Sequence, residues 1–254
     1  MKGMILADLR KIFLSKSTIV LLVITLALPF VSSMLYWVIE NLIQETIAGQ
    51  EIFFTYFAID GGFAFIFSIF LALNLCSEFN HGTMRNKILA GNTRFAIYGA
   101  SFLSSSIYAL VFHWVSFFIN LVLTLLFFNW GVPFGGKEFV SILLFLLLTS
   151  FLMLLVVATT QFFSYLFRNI GLTIGIFFAI SFVLGLFQIV ITSIAANGYV
   201  ETAQFLTHMI PNFQTTNFLQ YKGMDWFYTF LFDFLYISAF FVGGMFIFSR
   251  RDLK

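Results

Sequence analysis

The chain of 254 residues is 61% hydrophobic and only 9% charged, with a net charge of +2 and a mean hydropathy of +1.00. Soluble domains carry about 25% charged residues, so this composition excludes a soluble enzyme, and its hydrophobicity excludes a disordered chain. The composition therefore predicts a membrane protein that crosses the bilayer several times.

The first segment, residues 1–16, has apolar residues at helical spacing among basic ones. This pattern predicts an amphipathic interfacial helix on the inner leaflet, and the alternative is a simple basic flank of the first span. The apolar run that follows, 18–39, is longer than the hydrophobic region of a signal peptide and has no good cleavage site. It is therefore predicted to be an uncleaved first transmembrane helix.

Five more segments reach the roughly 20 apolar residues that a helix needs to span a bilayer. The uncharged run 95–136 is assigned one long helix, because no Gly, Pro or Asn turn lies near its middle at His113 and Trp114. Seven helices are the alternative. The prediction is an all-α membrane protein with a single transmembrane domain, 1–254, and spans at about 18–39, 53–76, 96–128, 139–166, 170–194 and 226–248.

The basic residues are distributed unevenly between the two sides of this arrangement. With the N-terminus inside, the inner segments contain Lys2, Arg10, Lys11, Lys16, Arg85, Lys87, Arg94, Arg168, Arg250, Arg251 and Lys254. The outer segments contain Lys137 and Lys222, together with the acids Glu40, Glu45, Glu51 and Asp60. The positive-inside rule thus predicts a multi-pass protein of the cytoplasmic membrane with both termini in the cytosol.

Three polar residues inside the predicted spans are candidates for a pathway or an intramembrane site: Asn74, His113 and Asp233. A carboxylate inside a membrane is a functional candidate by default. The alternatives are that His113 is an interior hydrogen-bonding residue and that Asp233 lies near headgroups or pairs with a polar neighbour. The outer segment 196–225 combines Pro211 with apolar residues, which predicts a partly re-entrant or interfacial structure.

Catalytic and metal-binding motifs are not found. The sequence has one cysteine, Cys76, and no Cys/His cluster with the spacing of a zinc site. It has no Gly-x-x-x-x-Gly-Lys phosphate-binding loop, so it cannot bind ATP in that way. We therefore expect no enzyme activity, no metal and no cofactor in this chain.

The first inner loop, 77–94, has an ordered pattern. Gly82 would turn the chain out of the span, Thr83 would cap a short helix over 83–90, and Gly91 would end it. The apolar face is assigned to Met84, Ile88 and Leu89, and the residues Arg85, Asn86 and Lys87 are predicted to face elsewhere. Such a helix is suited to docking on a soluble partner, and the alternative is a solvated basic loop.

These residues resemble a known family. Glu78-x-x-x-Gly82-Thr83, followed by Leu89 and Arg94, is similar to the inner-loop signature of type-2 ATP-binding-cassette exporter permeases. The N-terminal stretch, the segment Ile210-Pro211-Asn212-Phe213 and the ending Phe248-Ser-Arg-Arg-Asp252 are also similar to members of that family. Within it, the chain resembles small Gram-positive permeases for bacteriocin immunity or amphipathic-peptide export.

The resemblance implies a permease that works with a separate cytosolic ATPase, which binds the ATP and Mg²⁺. The segment 83–90 would be the coupling helix, and Glu78 would brace it. The residues assigned to ATPase coupling are Glu78, Gly82, Thr83, Met84, Arg85, Asn86, Lys87, Ile88, Leu89 and Arg94. A second permease copy or paralogue would complete the pathway, lined by the second and fifth spans. The expected cargo is hydrophobic or amphipathic, such as a peptide.

Two other functions fit the same sequence. A secondary carrier or channel would need no ATPase but would need intramembrane charges and an internal repeat, of which only Asp233 is apparent. A membrane anchor for a cytosolic enzyme would also use the inner-loop helix.

Overall fold

The computed structural model of the protein describes residues 2–44, 46–58 and 61–250. Of the residues used in the sequence analysis, Glu45, Asp60, Arg251, Asp252 and Lys254 lie outside this part. The described residues form eleven α-helices, one 3₁₀ turn and no strand. The helices are α1 (Lys2–Phe13), α2 (Lys16–Ile43), α3 (Gly49–Ala58), α4 (Gly61–Asn80), α5 (Thr83–Leu89), α6 (Arg94–Phe127), α7 (Gly136–Phe167), α8 (Ile170–Ala196), α9 (Val200–Met209), α10 (Pro211–Thr216) and α11 (Met224–Arg250), and the 3₁₀ turn is Phe218–Gln220.

Six of the described helices are long and apolar enough to cross a membrane: α2, α4, α6, α7, α8 and α11. The protein is thus an all-α, multi-pass membrane protein, as its composition predicts. The run 95–136 contains one continuous helix, α6, and the single-helix prediction for it is confirmed. The ends of α2, α6, α7, α8 and α11 lie within a few residues of the predicted spans.

The predicted second span, 53–76, is wrong in its boundaries. The described residues there belong to α3, which ends at Ala58, and to α4, whose apolar span covers Phe63–Asn80, and residues 59–60 lie outside the described part. The rings of Phe53 and Phe54 pack instead against Phe145 of α7.

The core of the bundle is formed by α6 and α7, which contact each other. Helix α6 also packs against α1 and α2, whereas α7 also packs against α4, α8 and α11. Small polar residues of α6, such as Ser104 and Ser105, are buried, and residues of this size allow packed helices to approach closely. His113 Nε2 lies 3.0 Å from Thr149 Oγ1 and joins the two helices at mid-span.

The two ends of the bundle differ in structure. At one end lie α1 and α5, together with the start of α6 and the end of α11, where Arg94 Nη1 donates to the Ser249 carbonyl at 2.8 Å. At the other end, α9 and α10 pack on each other and on α8, and α9 also packs on α11. The outer segment 196–225 therefore folds onto the bundle as helices and is not a free loop.

Candidate functional site

The inner-loop helix α5 follows α4 through a sharp turn at Gly82. Gly82 has φ +67°, a left-handed conformation that glycine adopts without steric cost. Because Gly82 occupies the N-cap position and no side-chain cap is formed, the prediction that Thr83 caps this helix is wrong. The helix ends at Leu89, and Gly91 with φ +84° turns the chain toward α6.

The packed face of α5 differs from the predicted one. Met84 is buried below the Tyr165 hydroxyl, which donates to its sulfur at 3.9 Å, and Ile88 packs against the same core. Lys87 is also packed inward, with only 13% of its side chain exposed, whereas Leu89 is 74% exposed. The predicted grouping of Leu89 with Met84 and Ile88 on one face, and of Lys87 with Arg85 and Asn86 elsewhere, is therefore wrong. The inward residues are spaced i, i+3 and i+4, one helical face, and Lys87 is among them because two carboxylates lie there.

A cluster of four charged side chains, Asp8, Lys11, Glu78 and Lys87, joins three helices at this end; we call it the inner charge cluster. Lys87 Nζ donates to Asp8 Oδ1 at 2.8 Å and to Glu78 Oε2 at 3.0 Å. Lys11 Nζ donates to Glu78 Oε1 at 3.0 Å. The two acids and two bases balance in charge and connect α1, the end of α4 and α5.

The electrostatics of the cluster keep Lys87 charged at neutral pH. Burial lowers the pKa of Lys87, but the carboxylates of Glu78 and Asp8 outweigh that effect and the pKa lies above its ordinary value. Burial raises the pKa of the Asp8 carboxyl, and the hydrogen bond from Lys87 offsets only part of this increase. Lys87 is therefore the central cation of the cluster.

The sequence pattern predicts Glu78 and Lys87 as site residues but does not predict Asp8 and Lys11. Asp8 could have been identified as a candidate from the sequence, because it is the only acidic residue before Glu40. Lys11 lies three residues after Asp8, on the same face of α1. Only the packing of α1 beside α4 and α5 brings these side chains to Glu78 and Lys87.

The outward face of α5 is a small, ordered surface. Arg85, Asn86 and Leu89 are exposed there, and Arg85 and Leu89 are four residues apart on one side of the helix. An exposed leucine beside an arginine, on a helix fixed by a buried core residue and by ion pairs, is suited to contact another protein. Arg94 belongs to a separate contact, since it donates to the carbonyls of Phe248 and Ser249 at the end of α11.

The three intramembrane candidates are not brought together. Asn74 donates to the Phe70 carbonyl of its own helix at 2.9 Å, and His113 contacts Thr149. Asp233 lies near α10, where its Oδ1 accepts a hydrogen bond from Gln214 Nε2 at 3.1 Å. No group of three or more His, Cys, Asp or Glu side chains in the described part of the chain could bind a metal ion.

A scan of protein-family models gives no match to this chain, and a search of curated proteins gives none either. The class that the fold defines is that of an all-α, multi-pass membrane protein with six membrane-length helices.

Proposed function

We propose that the chain is the membrane-spanning permease subunit of an ATP-driven exporter in the cytoplasmic membrane. The observation that supports this proposal is the structure around α5. A seven-residue helix is attached to the bundle by Met84 and by two ion pairs from Lys87, and its opposite face, with Arg85 and Leu89, is exposed. This opposite face would bind a cytosolic ATP-binding-cassette ATPase.

The inner charge cluster gives α5 a mechanical connection to the spans. Glu78 belongs to α4, and Asp8 and Lys11 belong to α1, which packs along α6. A displacement of α5 by the ATPase would therefore move α1 and α4 with it, because buried ion pairs are costly to separate. This is the bracing role that the family resemblance assigns to Glu78.

The energy for transport would come from the partner chain. The sequence has no phosphate-binding loop, so ATP and Mg²⁺ would bind to the ATPase and not to this subunit. Closure of the ATPase on ATP would then switch the pathway between its inward-facing and outward-facing forms.

The charges at the α5 end support a cytosolic orientation for this end. Lys11, Lys87, Arg94 and Arg168 all make contacts there, the last over the ring of Phe79 at 5.4 Å. The positive-inside rule favours the cytosol for this end, which supports the proposal that both termini lie there.

A second permease copy or a paralogue would complete the transport pathway. Helix α8 is the span that buries the smallest share of its residues within the chain, and its exposed side chains are mostly apolar. That face is compatible with a hydrophobic or amphipathic cargo, such as a peptide, and with a second permease. The second and fifth spans are proposed as the lining, on the basis of the resemblance.

A secondary carrier without an ATPase is the second candidate, because Asp233 is a buried carboxylate inside the last span. Transport that depends on an ion gradient in vesicles without ATP would favour this function. An anchor for a cytosolic enzyme would show no transport at all.

The proposal is tested by purifying the tagged protein in mild detergent, identifying the co-purifying chains and measuring ATPase activity. We expect a stoichiometric ATPase subunit with the wild type, and Arg85→Glu or Leu89→Ala should weaken its binding by about tenfold or more. Lys222→Glu is the matched control, because Lys222 is also an exposed cation but lies at the other end. A preparation without ATPase, or equal binding by the α5 variants and the control, would contradict the proposal.

A further inference from the structure

Asp233 lies in an unusual environment for a carboxyl group inside a membrane. It is on the third turn of α11 and is 0% exposed. Its Oδ1 accepts one hydrogen bond, from Gln214 Nε2 of α10, at 3.1 Å. Its Oδ2 is buried and has no hydrogen-bond partner among the described residues. An ionised carboxylate with one hydrogen bond and no cation is costly in such a place.

The groups around Asp233 do not neutralise a negative charge. The histidine of α9, His208, has Nε2 at 3.4 Å from Asp225 Oδ1 and Nδ1 at 3.2 Å from Thr229 Oγ1, so it is engaged elsewhere. Burial also lowers the pKa of His208, and Asp225 reverses only part of that effect. Lys222 is exposed. The titratable groups near Asp233 on α9, α11 and the turn between them are His208, Tyr221, Asp225, Tyr228 and Tyr236, and α10 and the facing part of α7 provide none.

The orientation of the Gln214 amide is fixed by a second bond. Its Nε2 also donates to the His208 carbonyl at 2.9 Å. This bond requires that the amide nitrogen, and not the amide oxygen, face the carbonyl. Its Oε1 is buried without a partner among the described residues. Two acceptor oxygens without a donor, Asp233 Oδ2 and Gln214 Oε1, therefore belong to two side chains that are already joined by one hydrogen bond.

We propose that Asp233 is a proton-binding site, and that the protonated acid pairs with the Gln214 amide to fasten the outer segment to α11. A proton on Oδ2 removes the buried charge and supplies one O–H donor. Donation from Oδ2 to Gln214 Oε1 would complete a two-bond acid–amide pair, in which Nε2 donates to Oδ1. The ligand is a proton taken from the outer side, and this site does not depend on whether the protein uses an ATPase.

Loss of the proton would weaken the contact between α10 and α11. The carboxylate would retain the bond from Nε2, but Asp233 Oδ2 would face Gln214 Oε1 with no hydrogen between them. The charge would favour access of water, and the segment formed by α9 and α10 would open. The outer segment is therefore expected to be closed when Asp233 is protonated and looser when it is ionised.

The test is infrared spectroscopy of the full chain in lipid nanodiscs across a pH series. We expect a protonated-carboxyl carbonyl band near neutral pH that is lost in Asp233→Asn and kept in Asp225→Asn and Asp8→Asn. If Asp233→Asn does not accumulate, Asp233→Glu replaces it, because a glutamic acid absorbs at a different position. A band that neither variant changes, or no such band in the wild type, would overturn the proposal.

A second measurement tests the effect on the outer segment. A buried reporter, Ala203→Cys, is introduced in a Cys76→Ser background, and its rate of thiol modification is compared with and without Asp233→Asn at the same pH. At a pH of about 8.5, once each rate is divided by the thiolate fraction measured for that protein, the reporter should react several-fold faster with Asp233 present than with Asp233→Asn. Equal rates in both backgrounds at every pH would overturn the proposed link between the proton and the segment.

Discussion

Lys87 is the residue that joins the inner-loop helix to the rest of the molecule. Its ammonium group bonds two carboxylates from two other helices, and only 13% of its side chain is exposed. Glu78 is shared between Lys87 and Lys11, so that it is the acid with the most cationic partners in the cluster. Removal of one charge from such a cluster leaves the others buried without full compensation.

We expect Glu78→Gln to lower the free energy of unfolding by about 2 kcal/mol, since the amide cannot accept two charge-assisted hydrogen bonds as a carboxylate does. Lys11→Gln is the comparison, because the Lys11 side chain is 44% exposed and its ion pair is partly solvated. Lys11→Gln should lower the free energy of unfolding by less than about 1 kcal/mol. Unfolding of both variants in the same detergent measures the difference, and equal costs would show that burial of Glu78 does not matter.

The pH dependence of stability provides a second prediction for Lys87. The pKa of Lys87 in the folded protein lies above its ordinary value of 10.5, so the stability from its ion pairs is fully present below that pH. It is lost as the pH rises through the pKa of the folded state. The melting temperature of the wild type should fall over this alkaline range. Lys87→Met should remove the part of this decrease that comes from Lys87, whereas the part that comes from tyrosine titration should remain. Identical slopes of melting temperature against pH in the wild type and in Lys87→Met would contradict the assignment.

Two glycines in the spans have opposite environments, which shows how the helices contact each other. A Cβ at Gly244 of α11 would overlap the hydroxyl of Tyr98, a fully buried side chain of α6. A Cβ at Gly175 of α8 would meet nothing within 4 Å. The pair Gly171 and Gly175 has the spacing of a close helix contact, but within this chain Gly175 makes none. The close approach occurs instead between α6 and α11.

We therefore expect Gly244→Ala to destabilise the bundle by about 1–2 kcal/mol, because the fully buried Tyr98 side chain would have to shift. Gly175→Ala should cause no loss, since alanine has the higher helix propensity and no neighbour is displaced. Thermal unfolding of both variants in detergent tests the contrast. A larger loss from Gly175→Ala than from Gly244→Ala would mean that the α6–α11 contact is not as tight as described.

At the scale of the whole molecule, the two ends are chemically distinct. The end with α1 and α5 contains the inner charge cluster and the contacts of Arg94 and Arg168, and the other end contains α3, α9 and α10. If each of the six membrane-length helices among the described residues crosses the bilayer, the described chain begins and ends on the same side. The distribution of basic residues predicts that the end with α1 and α5 faces the cytosol.

Cysteine labelling tests that orientation in a Cys76→Ser background. Leu89→Cys and Leu219→Cys are matched positions, because both leucines are exposed and they lie at opposite ends. A reagent that cannot cross the membrane should label Leu219→Cys in intact cells and Leu89→Cys only after permeabilisation. The reverse pattern would place the termini outside and would contradict the docking of α5 on a cytosolic ATPase.

Much of the architecture could be predicted from the sequence, because apolar runs of membrane length depend on composition alone. The boundaries of the second span differ from the prediction because Phe53 and Phe54, which hydropathy assigns to that span, belong to α3 and pack against Phe145 of α7. In the candidate site, Glu78 and Lys87 could be predicted because both belong to the segment 77–94. The faces of α5 were misassigned because the partners that draw Lys87 inward come partly from α1, which is distant in sequence.

The sequence by itself determined that this protein is helical and crosses a membrane several times, because hydropathy and helix length act locally and do not require partners. The distribution of Lys and Arg determined the predicted orientation for the same reason. Only the tertiary structure decided that Asp8 and Lys11 join Glu78 and Lys87, that Leu89 faces outward, and that Gln214 meets Asp233. These are contacts between helices distant in sequence, and the packing of whole helices, not the pattern within any one of them, determines which side chains meet.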